Sequence, residues 1–177
     1  AYIDPLSGPF ANVGEAGLKG FREIADTINA KGGANGQKVE LVPFDNKGSP
    51  QESLINFKAV TDQGIRFITQ GNGSGVAHAL VDAVNKWNAR NPDKTVLYLN
   101  YAAVDPTLTN EKCSFWHFRF DANSDMKMEA ITNFMEKDKS IKKVFIIGQD
   151  YAHGHQVAKA AKAMLAKKRK DVKIVGE

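Results

Sequence analysis

The sequence predicts an α/β protein with one doubly wound parallel-sheet lobe and the start of a second, similar lobe. Short apolar runs alternate with stretches whose apolar residues recur at helical spacing, and glycine-rich or polar turns separate them. The alternation restarts after an aromatic segment near residue 118. Strands that alternate with helices form parallel sheets with right-handed crossovers and helices on both faces. We therefore predict a first domain at 1–118 and part of a second at 119–177.

The first lobe is predicted to contain four strands and three helices. The strands are short runs rich in apolar and branched residues, at 1–4, 38–44, 65–69 and 95–101. The helices carry apolar residues at intervals of three and four, at 14–31, from 50 onward and at 76–87.

Two of the predicted helix ends carry local signals. Gly32 and Gly33 end the first helix in the way that helix C-termini prefer. Ser49, Pro50 and Glu52 combine a capping hydroxyl, a proline at the first helical position and an acid at the third. This combination predicts a capping box at the start of the second helix.

The second lobe follows an extended aromatic segment at 115–120, which we interpret as a bridge between the lobes. Its predicted elements are a helix at 124–137, a strand at 143–147, a helix at 154–168 and a strand at 172–175. Two strands and two helices bury little apolar surface. We therefore expect this lobe to be incomplete, either truncated or completed by another chain.

Composition narrows the classes of function. The formal net charge is +4, and the lysines concentrate at 137–143 and 159–173, which indicates solvated helix faces rather than a nucleic-acid site. No apolar run reaches about 18 residues, so no membrane insertion is expected. Cys113 is the only cysteine, so an internal disulfide is impossible and the redox compartment stays open.

Ligands of open parallel sheets bind beyond the carboxyl ends of the strands. This rule directs attention to four loops, at 5–14, 70–75, 101–106 and 148–155. The second is the most distinctive, because its Gly-Asn-Gly-Ser-Gly run places N–H groups and the hydroxyl of Ser74 at the positive end of the third helix, where an anion can bind. The alternative is that its glycines only make a tight turn between strand and helix.

Catalytic motifs fit this chain poorly. A dinucleotide-binding fingerprint would need glycine or alanine where Val76 stands, and a hydrolase elbow would need glycine in place of Asn72. Ser74, His78 and Asp82 share one helix face, but stacking along a helix seldom builds a catalytic triad. We therefore predict a binding protein and not an enzyme.

Histidines and tyrosines give weaker signals. His153 and His155 flank a glycine close to Asp150, but two ligands on one short loop are too few for a metal site, so neither a metal nor a cofactor is expected. Tyr101 and Tyr151 stand at strand ends, where a phenol either contacts a ligand or packs in the core.

Four motifs follow one another along the chain. They are PLSGPFA at 5–11, INAKGG at 28–33, Asp45 with Pro50, and DYAHG at 150–154. Together they closely resemble the type I periplasmic solute-binding proteins of ABC transporters, the branched-chain amino acid or leucine-isoleucine-valine type. The resemblance implies a two-lobed, hinge-closing receptor in the periplasm. Such a receptor traps a small ligand between its lobes, delivers it to a permease and is a monomer when full length.

The resemblance also carries ligand contacts onto this sequence. Ser74 stands where a hydroxyl binds the ligand carboxylate, and Asn72 and Gly73 belong to the same loop. The backbone around Ala102 and Ala103 matches the second part of that carboxylate site.

Two departures from the family pattern change the expected ligand. Val104 stands where amino-acid binders place a threonine that receives the ligand's ammonium group, and His153 stands where a tyrosine is common. Valine offers no acceptor, and an unpaired buried ammonium is unfavourable by several kcal/mol. We therefore hypothesise a carboxylate without an α-amino group, such as an aromatic or hydroxy acid.

The remaining contacts follow from this hypothesis. The apolar part of the ligand would be lined by Phe10, Val13 and Tyr101. From the second lobe, Tyr151 and His153 would close over the ligand. The alternatives are a branched-chain amino acid ligand and a ligand-sensing receptor module of the same fold.

Overall fold

The computed structural model describes residues 1–177, with the exception of the side chain of Ala152. A parallel sheet is built from β1 (Tyr2–Asp4), β2 (Pro43–Asp45), β3 (Phe67–Gln70), β4 (Leu97–Asn100) and β5 (His117–Arg119), in the spatial order β2-β1-β3-β4-β5. Its crossover helices are α1 (Ala11–Ala30), α2 (Pro50–Asp62) and α3 (Ser74–Arg90). Short 3₁₀ turns lie at Pro92–Lys94 and Pro106–Thr109. The predicted α/β class is confirmed.

The rest of the chain repeats the same alternation. It forms α4 (Ser124–Lys137), β6 (Lys143–Phe145), α5 (Ala152–Lys168) and β7 (Lys173–Gly176). The strands β6 and β7 pair in parallel in a sheet of their own. These four elements match the predicted ones to within a few residues.

The chain divides into two compact units. The first unit comprises Ala1–Ala103 and Cys113–Phe120, and the second unit comprises Val104–Lys112 and Asp121–Glu177. The predicted domain boundary at residue 118 stays a prediction.

The structure adds to one predicted element and corrects another. The extended segment at 115–120 contains β5, whose His117 pairs with Tyr98 of β4, and its role as a bridge stays a prediction. The predicted strand at 38–44 shortens to Pro43–Asp45. The side chain of Asn29 binds both the N–H (2.7 Å) and the carbonyl (2.9 Å) of Val39, so that residue has no ladder partner.

The predicted cap of α2 is confirmed in part. Pro50 is the first helical residue, and Ser49 Oγ accepts a hydrogen bond from Glu52 N–H at 3.4 Å. In place of the reciprocal bond that a capping box would add, Ser49 N–H donates to Asn46 O at 2.8 Å.

The two faces of the first sheet differ in burial. Ile68 and Tyr98 stand side by side in β3 and β4 and are fully buried. Their chain neighbours alternate to the other face, where Phe67 is 63% exposed and Phe118 is also exposed. One face of β3 to β5 therefore carries uncovered aromatic side chains.

Candidate ligand-binding site

The carboxyl ends of β1, β3 and β4 lie side by side, because these strands are parallel neighbours in the sheet. The loops at 5–10, 71–73 and 101–103 follow these ends. The first unit therefore brings three of the predicted ligand loops to one edge of its sheet, the usual place for a ligand in an open parallel sheet.

The loop after β3 delivers Ser74 to the first turn of α3. Gly73 precedes the helix with a φ of 91°, a left-handed conformation that glycine tolerates best. The N–H of Ala77 donates to Gly73 O at 3.1 Å. The preceding N–H groups, of residues 74–76, therefore stand at the open end of the helix, where the helix dipole favours an anion.

Ser74 combines deep burial with an available hydroxyl. The residue is only 3% exposed, and no described residue forms a hydrogen bond with its Oγ. This oxygen is not among the fully buried polar atoms that lack a partner, so it remains open to solvent. An unpaired hydroxyl beside an open helix end is therefore the arrangement that the predicted carboxylate contact requires.

The second part of the predicted carboxylate site is arranged differently. The N–H groups of Ala102 and Ala103 both donate to Oδ1 of Asn100, at 3.1 and 2.7 Å. Asn100 is fully buried, and its Nδ2 donates to Ala103 O at 2.8 Å and lies 3.1 Å from Nε2 of His117. These two N–H groups therefore already have an acceptor within the first unit. Sequence reasoning missed Asn100, whose one signal is a polar residue that ends an apolar strand.

Tyr101 is anchored through its hydroxyl. It donates to Asp4 Oδ2 at 2.7 Å, lies 3.1 Å from Tyr2 Oη and accepts from Asn72 Nδ2 at 3.1 Å. Its ring packs edge-on against Phe21, with centroids 5.2 Å apart, and lines an apolar cavity of about 430 Å³. The hydroxyl therefore serves the packing of the unit, and only the ring remains for the predicted apolar wall.

Asp4 is the main residue of this edge that sequence reasoning missed. It is fully buried at the end of β1, and its carboxylate accepts from the N–H groups of Asn72 (2.9 Å) and Gly71 (3.1 Å) as well as from Tyr101. Burial raises the pKa of Asp4 to about 6, although these hydrogen bonds act in the opposite direction. Its one sequence signal is an acid directly after two apolar strand residues.

Phe10 and Val13 lie at the start of α1 and are 47% and 48% exposed. The loop before them is fixed by Asp45, which accepts from Leu6 N–H at 2.8 Å and from Ser7 Oγ at 2.5 Å. Burial acts to raise the pKa of Asp45, but these hydrogen bonds outweigh it and hold the pKa below its ordinary value. Two uncovered apolar side chains therefore stand next to the loop after β1, as the predicted wall requires.

The second unit holds the other predicted contacts. Val104 is buried, and its carbonyl accepts from both the N–H and Oγ of Ser124 at 3.0 Å. Tyr151 is exposed at the start of α5, burial of part of its side chain raises its pKa, and its ring centroid lies 6.0 Å from that of His153. Among the described residues, Nδ1 of His153 is buried without a hydrogen-bond partner.

The predicted contacts thus divide between the units. The first unit contains Phe10, Val13, Asn72, Gly73, Ser74, Tyr101, Ala102 and Ala103, and the second contains Val104, Tyr151 and His153. Within the first unit a hydrogen bond joins Asn72 to Tyr101. The ligand roles of all these residues stay predictions.

Side chains of the kinds that bind metals do not cluster. In the part of the chain that the structure describes, no three or more His, Cys, Asp or Glu side chains stand close enough together to hold a metal ion. His155 Nε2 and Asp150 Oδ1 form an exposed pair at 3.2 Å. Within residues 1–177, no helix combines the length and the apolar character needed to cross a bilayer.

A parallel α/β sheet with an unpaired hydroxyl and open N–H groups at its carboxyl edge has the architecture of a small-molecule binding protein. The chain belongs to the periplasmic binding protein family. The profile of the family described as "Periplasmic binding protein" matches residues 1–177.

Known relatives agree with this assignment. The "Leu/Ile/Val-binding protein homolog 4" of Brucella abortus (strain 2308) is 37% identical over 159 residues, which cover 89% of this chain and 38% of the relative. The solved leucine-, isoleucine-, valine-, threonine- and alanine-binding protein from Brucella ovis, in its closed conformation, aligns with a TM-score of 0.84 at 33% identity. The alignment covers 99% of this chain and 45% of the Brucella ovis chain. The chain therefore spans less than half the length of these relatives.

A third comparison supports the fold alone. A solute-binding protein of an ABC transporter from R. palustris, solved in complex with benzoate, aligns with a TM-score of 0.83 at 20% identity. The alignment covers 99% of this chain and 46% of that protein.

Proposed function

We propose that this chain is the ligand-capturing part of a periplasmic solute-binding protein that serves an ABC uptake system, and that it binds a small carboxylate. The observation that carries the proposal is the hydroxyl of Ser74 at the open end of α3, which is open to solvent and has no partner among the described residues. A carboxylate can accept bonds from this hydroxyl and from the N–H groups of the first turn, and such charge-assisted bonds are strong. The names of the relatives support the proposal, because leucine, isoleucine and valine all carry a carboxylate.

The ligand class that we favour is a carboxylate without an α-amino group, such as an aromatic or hydroxy acid. Val104 is buried and presents only methyl groups, so it cannot accept a bond from an ammonium. The exposed ring of Phe10 and the exposed side chain of Val13 offer apolar contact instead. A branched-chain amino acid is the second candidate, which the names of the Brucella relatives favour.

The proposed role is capture and delivery rather than catalysis. In this role the protein resides in the periplasm, acts as a monomer and passes its ligand to a permease. The names of the relatives describe binding in each case, which supports a binding protein over an enzyme.

A ligand panel on the full-length gene product tests the proposal. It contains benzoates, cinnamates, keto acids and branched-chain amino acids, measured by thermal shift and by calorimetry. A ligand at about 100 times its dissociation constant stabilises the folded state by about 2.7 kcal/mol. We expect a response to the aromatic acids.

The variant Ser74→Ala distinguishes carboxylate binding at the proposed site from binding elsewhere on the protein. The variant should weaken the selected carboxylate about tenfold or more, because a hydrogen bond to a charged group contributes about 1.5–3 kcal/mol. Its unfolding free energy should change by no more than about 0.5 kcal/mol, since Oγ has no partner to lose. Ser140→Ala, at an exposed serine of the second unit, is the matched control and should keep the wild-type affinity.

The possible outcomes are distinct. Tight binding of leucine or valine with no response to aromatic acids would refute the favoured ligand class while keeping carboxylate capture. A panel without any carboxylate response would refute the proposed function.

A further inference from the structure

A buried polar network around Asp4 joins two loops of the first unit and the start of α1. Its Oδ2 accepts from Tyr101 Oη (2.7 Å) and from Gly71 N–H (3.1 Å), and its Oδ1 accepts from Asn72 N–H (2.9 Å). Tyr2 Oη extends the network, because it donates to Gly14 O at 2.7 Å and lies 3.1 Å from Tyr101 Oη. The start of α1 and the loops after β3 and β4 therefore share one set of hydrogen bonds.

The packing around this network leaves little space. A Cβ at Gly71 would lie 2.6 Å from the Tyr101 ring, and a Cβ at Gly17 would lie 2.5 Å from Tyr2 Oη and 3.0 Å from Tyr101 Oη. The loop after β3 can therefore take only a narrow range of positions while Tyr101 stays bound to Asp4.

The described groups that contact the carboxylate of Asp4 are all donors. They are the hydroxyl of Tyr101, the N–H groups of Gly71 and Asn72, and the more distant amide of Gln70 at 3.5 Å. An ionised carboxylate satisfies all of them. A protonated carboxyl would itself donate one bond, so the Tyr101 hydroxyl would have to turn and accept it. The N–H groups of Gly71 and Asn72 would then be bound to a neutral acceptor, and such bonds are roughly half as strong as those to a carboxylate.

We propose that Asp4 is a positioning residue of the ligand loop. Its ionised carboxylate fixes the backbone of Gly71 and Asn72, and through them the place of Ser74, and its protonation loosens the loop. This inference rests on the proposed function, because the loop is the part of the chain to which we assign carboxylate capture. Ligand affinity should therefore fall as the pH falls through the range in which Asp4 takes up a proton.

That range lies near pH 6, because burial raises the pKa of Asp4 to about 6. The titratable groups that face Asp4 are the phenols of Tyr2, Tyr98 and Tyr101. Burial raises the pKa of each of them above its ordinary value, so they are neutral near pH 6. His117 on β5 contacts the ring of Tyr98 and not the carboxylate.

Groups elsewhere in the protein that titrate near pH 6 are the same in wild type and in Asp4→Asn. The comparison of the two proteins therefore isolates the contribution of Asp4.

The first test measures affinity for benzoate, with leucine as a second probe, in the full-length gene product at pH 7.5 and pH 5.5. Wild type should bind about threefold more weakly at pH 5.5, where about three quarters of Asp4 is protonated. Asp4→Asn should bind about tenfold more weakly at both pH values, a difference of about 1.4 kcal/mol. Asp26→Asn, at an exposed acid of α1, removes the same charge and should keep the wild-type affinities.

The second test needs no ligand. Amide exchange measured by NMR, corrected for the intrinsic rate at each pH, should show about tenfold lower protection of Gly71 and Asn72 in Asp4→Asn than in wild type. The amide of Tyr98, which donates to Trp116 O at 2.8 Å, should keep its protection and so report an intact sheet.

Equal protection of the two loop amides in both proteins would overturn the proposal, and so would an unchanged affinity with an unchanged pH profile in Asp4→Asn. If wild type binds none of the carboxylates but the loop amides lose protection as expected, the proposed function fails and the positioning of the loop by Asp4 stands.

Discussion

Replacing Gly71 with alanine perturbs the packing beneath the ligand loop most directly. The added Cβ would lie 2.6–2.7 Å from three atoms of the Tyr101 ring, roughly 1 Å short of an ordinary carbon–carbon contact. The ring cannot retreat freely, because its hydroxyl is bound to Asp4 at 2.7 Å and Phe21 packs edge-on against it. A ring shift large enough to admit the methyl group would therefore break the bond to Asp4.

The expected loss of stability follows from the overpacking at Gly71 and from the broken hydrogen bond between Tyr101 and Asp4. Overpacking of a tight site costs about 1–3 kcal/mol, and loss of a hydrogen bond to a charged group costs about 1.5–3 kcal/mol. We expect Gly71→Ala to lower the free energy of unfolding by about 2.5–6 kcal/mol, measured by urea denaturation followed by circular dichroism.

Gly75→Ala is the matched control for this change. It lies in the same loop, within the first turn of α3, and no atom lies within 4 Å of its added Cβ. Because alanine favours a helix over glycine, this variant should be up to about 1 kcal/mol more stable than wild type. Equal stability of Gly71→Ala and wild type would refute the packing argument.

Three further outcomes are expected. The pKa of Asp4 is about 6 in the folded state against an ordinary 3.8, so the folded state takes up the proton first. The free energy of unfolding should therefore rise by about 1.4 kcal/mol from pH 7.5 to pH 5 relative to Asp4→Asn, measured by urea titration at each pH. Ser49→Ala removes the cap of α2 and should lower the unfolding free energy by about 1 kcal/mol, whereas no loss would mean that the 3.4 Å contact contributes nothing. Phe120→Ser should reduce the binding of a hydrophobic dye to the uncovered sheet face and change the stability by no more than about 0.5 kcal/mol, because Phe120 is exposed; an undiminished dye signal would place the exposed apolar surface elsewhere.

The fold was predictable where its signals are local. Helix α4 begins and ends at the predicted residues, 124 and 137, because a capping asparagine and an apolar period mark it within one short segment. β2 was predicted too long because Asn29 binds the backbone of Val39, a contact between residues ten positions apart that no strand propensity reports. β5 was interpreted as a bridge because four of the six residues at 115–120 are aromatic, which hides the alternation of a strand.

The candidate site, too, was predictable where its signals are local and not where they depend on distant residues. The Gly-Asn-Gly-Ser-Gly loop could be predicted, because a glycine with positive φ and a serine at a helix start are local features. Asp4 could not, because its hydroxyl and N–H partners follow it by 67 to 97 residues and meet it only when β1, β3 and β4 pair. Parallel strands place such distant residues together, and single-sequence patterns carry no trace of that pairing.

The groups available to a ligand are those that remain after internal hydrogen bonds are made. Asn100 satisfies the N–H groups of Ala102 and Ala103, and Asp4 satisfies those of Gly71 and Asn72. In the loop after β3 and the helix start that follows it, the donors that remain for a ligand are the first-turn N–H groups of α3 and the hydroxyl of Ser74. If the proposed function holds, two buried polar side chains confine anion binding to one helix end, and a change at either of them should alter carboxylate binding without touching the ligand.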